Sequence, residues 1–316
     1  DLMGTPRRVA AGALALLLGA CSSVAPHLAN ADTNGRAEPG SGPPQVVRLP
    51  DPSAAVGALD LDRVRSGDQA VPRATLTDLP SRLTEIERVE RRKRLFLKTL
   101  LPAALQANEN VRAQRQFVTA VARLDLPRTR LPASMRDRLA RLEETYRVDA
   151  GDLDALLRKV DTIPVSLLLA QAAIESGWGT SRFAQHGNAL FGEHTRDPDH
   201  TGMKPRRLGD PDFRVRTFAT LDAAVAAYQR NLNSHPAYAG LRAIRAAARA
   251  EGRVADGAEL AAGLQDYSAR GQTYVNDLRV TIDANDLEQL RNARLEPAVQ
   301  TIASLVPGRG ADQALR

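Results

Sequence analysis

The sequence is short of cysteine and of aromatic residues. Cys21 is the only cysteine among 316 residues, which excludes an internal disulfide and a zinc site built from several cysteines. Aromatic side chains make up 4% of the chain, so each buried Trp, Tyr or Phe carries more weight in the packing than usual. The sequence also lacks a Gly-x-Ser-x-Gly elbow, a phosphate-binding Gly-Lys-Ser loop and a His-Glu-x-x-His helix. These absences argue against several common hydrolase and nucleotidase classes.

Basic residues outnumber acidic ones by a modest margin. The chain has 43 Lys and Arg against 37 Asp and Glu, a net charge of +6. This balance favours anionic partners in general, whether nucleic acid, anionic lipid or an acidic cell-wall polymer. Because no nucleic-acid recognition motif accompanies it, we expect no nucleic-acid partner. The loop-like spacing of His186, His194 and His200 favours surface positions over metal ligation, so neither a metal nor a cofactor is expected.

The first residues have the pattern of an export signal. Arg7 and Arg8 precede a twelve-residue apolar run, Val9 to Ala20, that ends in "LLGACSS". Twelve residues are too few to span a bilayer as a helix, so residues 1–21 are predicted to be a signal peptide. The segment ending at Cys21 resembles the bacterial lipobox. This implies lipidation of that cysteine, a membrane anchor and a cell-envelope location facing the periplasm, at the outer membrane. The alternative is an ordinary signal peptide that contains a cysteine.

Composition divides the rest of the chain into four ranges. Residues 22–80 are rich in Pro, Gly, Ser, Ala and Asp and have no helical or strand period, which predicts a disordered tether. Residues 84–140 show helical periodicity, with Pro102 expected to kink or interrupt the first helix. Residues 141–286 are assigned to the main domain, and residues 287–316 to a tail.

The apolar pattern of the main domain predicts helices with a small β element between them. The segment "PVSLLLAQAAIES" is apolar on nearly every side, which is typical of a buried helix that begins after Pro164 and ends at Gly177. The segment "FRVRTF" (213–218) alternates apolar and basic residues, as a short strand does. Leu221, Val225, Tyr228 and Leu232 then form the first of three apolar helical stripes. We therefore expect an all-α fold with a small β insertion after the buried helix.

A carboxylate, Glu175, lies at the end of the predicted buried helix. It follows Gln171 by one turn on the same face and precedes Trp178, the only tryptophan. Desolvation would raise its pKa and keep it protonated near neutral pH, as a general acid for the departure of a sugar oxygen must be. Considered alone, these residues equally fit a glutamate that reaches solvent at a helix C-terminus, with Trp178 in the core.

Three segments resemble a known family of bacterial enzymes. "AQAAIESGWGTS", "GNALFGEHT" and "YSARGQTYVNDLRVTI" together resemble the N-acetylglucosaminidases of glycoside hydrolase family 73. "LLP" (100–102) and "YQRNLNSHPAY" (228–238) resemble its Bax-like subgroup, and the resemblance covers about residues 85–286. It implies a lysozyme-like helical (α+β) fold. It also implies acid/base cleavage of peptidoglycan glycan strands, at β-1,4 bonds that follow N-acetylglucosamine, without a cofactor.

The resemblance also implies roles for individual residues. Glu175 would be the general acid/base, and Tyr274 a second catalytic residue whose hydroxyl holds a water or the 2-acetamido group of the sugar. The residues implied to bind substrate are Gln171, Trp178, Asn188, Phe191, Gly192 and Tyr267. Both tyrosines fall on apolar helical stripes, so packing is the alternative for each, and it is the preferred interpretation for Tyr267.

The sequence does not identify the second carboxylate that many glycosidases require. Asp210 and Asp212 are candidates in the predicted β region, although both equally fit turn positions beside Gly209 and Pro211. Glu193 directly follows the "GNALFG" segment and is expected to lie too close to it to be the second carboxylate. A substrate-assisted route through the acetamido oxygen would need no second carboxylate. Two other functions therefore stay open: a noncatalytic peptidoglycan-binding scaffold lipoprotein, and an amidase acting on the stem peptide.

Overall fold

A computed structural model describes residues 52–196, 201–205 and 213–298. This part of the chain is mostly helical, with three short strands in the middle. The helices are α1 (Pro52–Ala58), α2 (Leu61–Ser66), α3 (Val89–Leu124), α4 (Ala133–Tyr146), α5 (Leu153–Lys159), α6 (Val165–Ser176), α7 (Arg182–Gly187), α8 (Leu221–Ser234), α9 (Ala239–Ala250), α10 (Gly257–Ala261) and α11 (Gln272–Ala284). Short 3₁₀ turns connect several of them. The expected helical fold with a small β element is confirmed.

The β element lies between α7 and α8. Its strands are β1 (His194–Thr195), β2 (Gly202–Met203) and β3 (Arg214–Arg216). β3 is central and antiparallel to both neighbours, with His194 opposite Val215 and Gly202 opposite Arg216. The strand predicted from "FRVRTF" is therefore present, although it is only three residues long.

Helix α6 lies at the centre of the main core. It contacts α3, α10, α11 and the 3₁₀ turn at Leu287–Asn292. Ten of its twelve residues are buried, because its sequence has almost no polar face to offer to solvent. The helix ends at Gly177, which adopts φ 59° and whose backbone N–H reaches the carbonyls of Ala173 and Ile174. Glu175 is thus held one residue before the end of a fully packed helix.

Helix α3 contributes to two hydrophobic clusters. Its first half, from Phe96 to Ala107, packs into the main core with α6 and α8. Its second half packs with α4 and α5 through Val111, Val118 and Val121. The helix does not break at Pro102, which is buried within it. Among residues 52–196, 201–205 and 213–298, no helix is both long and apolar enough to cross a membrane.

Part of the predicted tether is folded. Residues 52–80 include α1 and α2, and five of their apolar side chains join the main core: Leu59, Leu61, Val64, Val71 and Leu79. The prediction of a disordered tether is wrong for this part, because burial against α3 and the C-terminal segment stabilises helices too short to show a period. Residues 22–51 lie outside the described residues.

The predicted tail and domain boundary also need correction. Leu287 and Leu290 are fully buried in the main core, and Leu295 pairs with Val71 as an isolated parallel bridge. Residues 287–298 therefore belong to the folded unit, while residues 299–316 lie outside the described residues. The boundary expected at residue 140 falls inside α4. It therefore does not separate two domains.

Candidate active site

Glu175 lies at the point where the buried helix α6 ends. The three residues that follow the last helical residue, Ser176, are Gly177, Trp178 and Gly179. All three adopt left-handed backbone conformations, with φ of 59°, 56° and 77°. Glycine accepts this region without strain, whereas a bulky residue such as Trp178 rarely does. A Cβ at Gly179 would also lie 2.9 Å from the Phe96 ring. Glycine at 177 and 179 therefore suits the sharp exit from α6, and at 179 it also avoids a clash with Phe96.

Two opposing effects set the pKa of the Glu175 carboxyl. Burial raises the pKa above the ordinary glutamate value, because a desolvated carboxylate loses hydration. A hydrogen bond from the Tyr274 hydroxyl and the charge of Arg270 act in the opposite direction, and burial prevails. The sequence-based expectation of a desolvated carboxyl group at this position agrees with its surroundings. Such a shift favours the protonated form, which a proton donor needs.

Behind Glu175, a chain of hydrogen bonds links two tyrosines through one amide. The Tyr228 hydroxyl donates to Gln171 Oε1 at 2.5 Å, and Gln171 Nε2 donates to the Tyr274 oxygen at 3.1 Å. The Tyr274 hydroxyl in turn lies near the Glu175 carboxyl group and, as a hydrogen-bond donor, lowers its pKa. Gln171, Tyr228 and Tyr274 are each at most 1% exposed. Gln171, predicted to bind substrate, is thus enclosed behind the site.

Aromatic rings pack against both tyrosines of this hydrogen-bond series. Tyr267 stacks parallel to Tyr274 at a centroid distance of 5.5 Å and donates its hydroxyl to the Phe191 carbonyl at 2.7 Å. Phe191 stacks on Tyr228 at 4.0 Å. Phe191 is 3% exposed, so its ring packs inside the protein and supports the site through Tyr228. For Tyr267 these contacts agree with the preferred interpretation, packing.

Gly192 lies beside the Glu175 carboxylate. Its φ is +66°, and a Cβ at this position would be 3.1 Å from Glu175 Oε2. The "NALFG" segment (188–192) thus brings backbone, rather than a side chain, up to the carboxyl group. Gly192, predicted to bind substrate, therefore lies directly against Glu175.

Asn188 and Trp178 connect the site to other parts of the fold. Asn188 is 2% exposed, and its Nδ2 donates to Asp78 Oδ1 at 2.9 Å and to the carbonyls of Thr77 and Phe218. Its amide therefore holds the loop to the N-terminal segment and does not face a groove. Trp178 packs edge-on against Phe96 at 5.8 Å, with the Lys93 ammonium over its ring.

The structure leaves the second carboxylate unassigned. Asp210 and Asp212 lie outside the described residues. Glu193 Oε2 pairs with Arg216 Nη1 at 3.1 Å, while Glu193 Oε1 is buried without a partner. Within the described ranges no group of three or more His, Cys, Asp or Glu side chains could hold a metal ion.

Sequence reasoning missed the contribution of Tyr228 to this site. It assigned Tyr228 to an apolar stripe, because its position relative to Val225 and Leu232 is that of a core residue. The ring is indeed in the core, and only its hydroxyl reaches Gln171. Its place in the "YQRNLNSHPAY" segment was the one available signal.

Comparison with known proteins gives the family. The family model for glucosaminidase, described as mannosyl-glycoprotein endo-beta-N-acetylglucosaminidase, matches residues 151–287, which include the site from Gln171 to Tyr274. Protein bax of Escherichia coli (strain K12) is 32% identical over 196 residues, which is 59% of this chain and 67% of that protein. No solved structure matches. In general terms the matched domain is that of a peptidoglycan-related glycosidase. The chain belongs to the Bax-like proteins, with a mannosyl-glycoprotein endo-beta-N-acetylglucosaminidase-like domain.

Proposed function

We propose that this protein is an endo-β-N-acetylglucosaminidase that cleaves peptidoglycan glycan strands at β-1,4 bonds following N-acetylglucosamine. The observation that supports this most directly is the environment of Glu175, a partly buried carboxyl group with a raised pKa. It lies against the Gly192 backbone and is hydrogen-bonded to Tyr274. The family match supplies the substrate class, because glucosaminidases act on such glycosidic bonds.

In the proposed reaction Glu175 begins protonated. It gives its proton to the glycosidic oxygen as the bond from that oxygen to the sugar C1 breaks, and the bonding electrons stay with the departing oxygen. Positive charge then develops on the sugar ring. The Glu175 carboxylate left behind is stabilised by the Tyr274 hydroxyl and by Arg270. Water completes the hydrolysis by bonding to C1 and releasing a proton, which restores the acid.

Digestion of purified sacculi tests this function. The wild type should release muropeptides with new reducing-end N-acetylglucosamine, identified by mass spectrometry, and Glu175→Gln should release none. The isosteric glutamine keeps the shape and the hydrogen-bond acceptor but has no proton to give. Free stem peptides would instead show an amidase. No product from either protein, together with retained binding to sacculi, would favour a noncatalytic scaffold.

We also propose that the protein is anchored to the cell envelope by a lipid on Cys21 and faces the periplasm. The support is the "LLGACSS" sequence after a short apolar run. Cys21→Ala should release the protein from the membrane fraction of cells that express it. Cys21→Ala protein that still sediments with membranes would contradict lipidation.

A further inference from the structure

The chain of hydrogen bonds behind Glu175 has a defined direction. An amide oxygen can only accept and an amide nitrogen can only donate, so the Tyr228 hydroxyl must donate to Gln171 Oε1. Gln171 Nε2 then donates to the Tyr274 oxygen. The hydroxyl proton of Tyr274 is therefore free to be donated to the nearby Glu175 carboxylate, with which Tyr274 interacts electrostatically.

Burial makes the orientation of the Gln171 amide consequential. Gln171 and Tyr228 are 0% exposed and Tyr274 is 1% exposed, so water cannot replace a lost partner without entering the core. If the amide turned over, its oxygen would face Tyr274 and accept the hydroxyl proton. Glu175 would then lose its donor. The Tyr228 hydroxyl opposes this, because it needs an acceptor and finds it in Oε1.

We propose that Tyr228 and Gln171 are positioning residues that hold the Tyr274 hydroxyl in the orientation that donates to Glu175. This assignment rests on the proposed function only in giving Glu175 the role of acid. It adds a residue from α8, Tyr228, which contacts neither Glu175 nor the substrate in this scheme and acts through Gln171.

The other ionisable groups around Glu175 have separate partners. Tyr267 donates its hydroxyl to the Phe191 carbonyl, and Tyr238 is hydrogen-bonded to Asn231. Arg270 is paired with Asp277 and lies at the surface, where salt screens its charge. Glu193 is paired with Arg216. The direct hydrogen bonding of Glu175 thus comes through Tyr274 alone among these groups.

Removal of the Tyr228 hydroxyl should therefore change the pKa of Glu175. In Tyr228→Phe the Gln171 oxygen loses its donor, and the amide can turn to accept from Tyr274. The Glu175 carboxylate then loses a hydrogen bond, which raises the pKa of Glu175. Tyr274→Phe removes the same hydrogen bond directly. A hydrogen bond to a charged group corresponds to a shift of about one pH unit.

Carbon-13 NMR titration of the Glu175 side-chain carboxyl in the full chain measures this without turnover. The resonance is assigned by its absence in Glu175→Gln. The titration midpoint should move upward by about one pH unit in Tyr274→Phe and upward, by up to as much, in Tyr228→Phe. The double variant should match Tyr274→Phe alone, because both changes remove one interaction. The matched control is Tyr238→Phe, which changes a neighbouring tyrosine that is not part of the Tyr228–Gln171–Tyr274 hydrogen-bond series. It should keep the wild-type midpoint.

The outcomes separate this proposal from the proposed function. A wild-type midpoint in Tyr228→Phe, alongside a shifted one in Tyr274→Phe, would overturn the positioning role and leave Tyr228 a packing residue. Additive shifts in the double variant would also overturn it, since they require separate interactions. If the predicted shifts occur but Glu175→Gln still cleaves sacculi, the positioning is supported and the assignment of Glu175 as acid fails.

Discussion

Gly192 and Glu175 meet with no side chain between them. A Cβ on residue 192 would lie 3.1 Å from Glu175 Oε2, closer than carbon and oxygen ordinarily approach without displacement of one of them. The backbone of the "NALFG" loop (188–192) thus forms one side of the carboxyl group's surroundings. This contact fixes where the acid can lie and which residue can occupy position 192.

Gly192→Ala should therefore lower activity more than stability. The added methyl group presses on the Glu175 carboxylate, and misplacement of an acid by about 1 Å can reduce a rate by roughly 100-fold. The positive φ of +66° adds strain of about 1–2 kcal/mol. Release of muropeptides and thermal unfolding of the same samples measure the two effects.

The matched control for Gly192→Ala is Gly252→Ala. Gly252 has a similar φ of +72°, but a Cβ there has nothing within 4 Å. The control should show the cost of backbone strain and keep full activity. Equal losses of activity in both variants would mean that crowding of Glu175 is not the cause.

Glu175→Gln should gain stability while it loses activity. The pKa of Glu175 is raised in the folded protein by burial, so the stability that this group contributes is present at low pH. That stability is lost as pH rises through the folded pKa. The neutral glutamine does not lose it, so the variant should unfold a few degrees higher than wild type at pH 8. The difference should shrink toward pH 4.

Thermal unfolding of both proteins between pH 4 and pH 8 measures this effect. Glu87→Gln, which changes an exposed side chain, should unfold at the wild-type temperature throughout this range. A Glu175→Gln variant that unfolds below wild type at pH 8 would show that the carboxylate stabilises the fold there.

Much of the site could be predicted from sequence because it depends on one strongly patterned helix. An apolar segment with a carboxylate at its end and glycines after it gives both the burial of α6 and its exit at Gly177. The "GNALFGEHT" segment could be associated with the same site through resemblance. The direction in which Gln171 and Asn188 point could not be predicted. A polar residue in an apolar helix fits an inward hydrogen bond and a substrate contact equally well.

The folding of residues 52–80 could not be predicted for a different reason. Helices α1 and α2 have seven and six residues, which is too short for a periodic pattern to emerge from Pro-rich and Gly-rich surroundings. Their stability comes from distant parts of the chain. Val71, for example, exchanges backbone hydrogen bonds with Arg294 and Glu296, more than 220 positions away. Such long-range pairing leaves no local signal.

A shortened chain that begins at residue 84 should therefore fold poorly. Because this chain lacks residues 52–83, the core surface that Leu59, Leu61 and Leu79 cover becomes exposed. It also removes Asp78 and Thr77, the partners of Asn188. We expect aggregation or a melting temperature lower by at least about 10 °C, since several buried leucines at about 2 kcal/mol each are lost.

A chain that begins at residue 50 is the control for this truncation, because it keeps all the described N-terminal residues. It should unfold at the same temperature as the mature protein in circular dichroism. If the chain from residue 84 were equally stable, the N-terminal segment would be an accessory and not part of the core.

Asp161 is a buried carboxylate, away from Glu175, on which the fold depends. Its side chain is 5% exposed and accepts hydrogen bonds from Arg249 Nη2, at 2.6 and 2.7 Å, and from Arg249 Nε, at 2.9 Å. Arg115 and Arg245 lie within 3.8 Å of the same carboxylate. Burial lowers the pKa of Arg245 to about 10, and this guanidinium also donates to Asn233 Oδ1. Three arginines thus depend on one buried anion.

Asp161→Asn should destabilise the protein by about 3–5 kcal/mol, because it leaves buried positive charge without compensation. The control is Asp62→Asn, which removes a carboxylate from an exposed ion pair with Arg94 and should have little or no effect on stability. Urea unfolding of both variants measures the difference. Cleavage by the fraction of Asp161→Asn that remains folded should be close to wild type, since Asp161 lies in the connection before the start of α6, whereas Glu175 lies near the other end of that helix. Equal destabilisation by the two substitutions would show that the arginines around Asp161 are hydrated and do not need the buried anion.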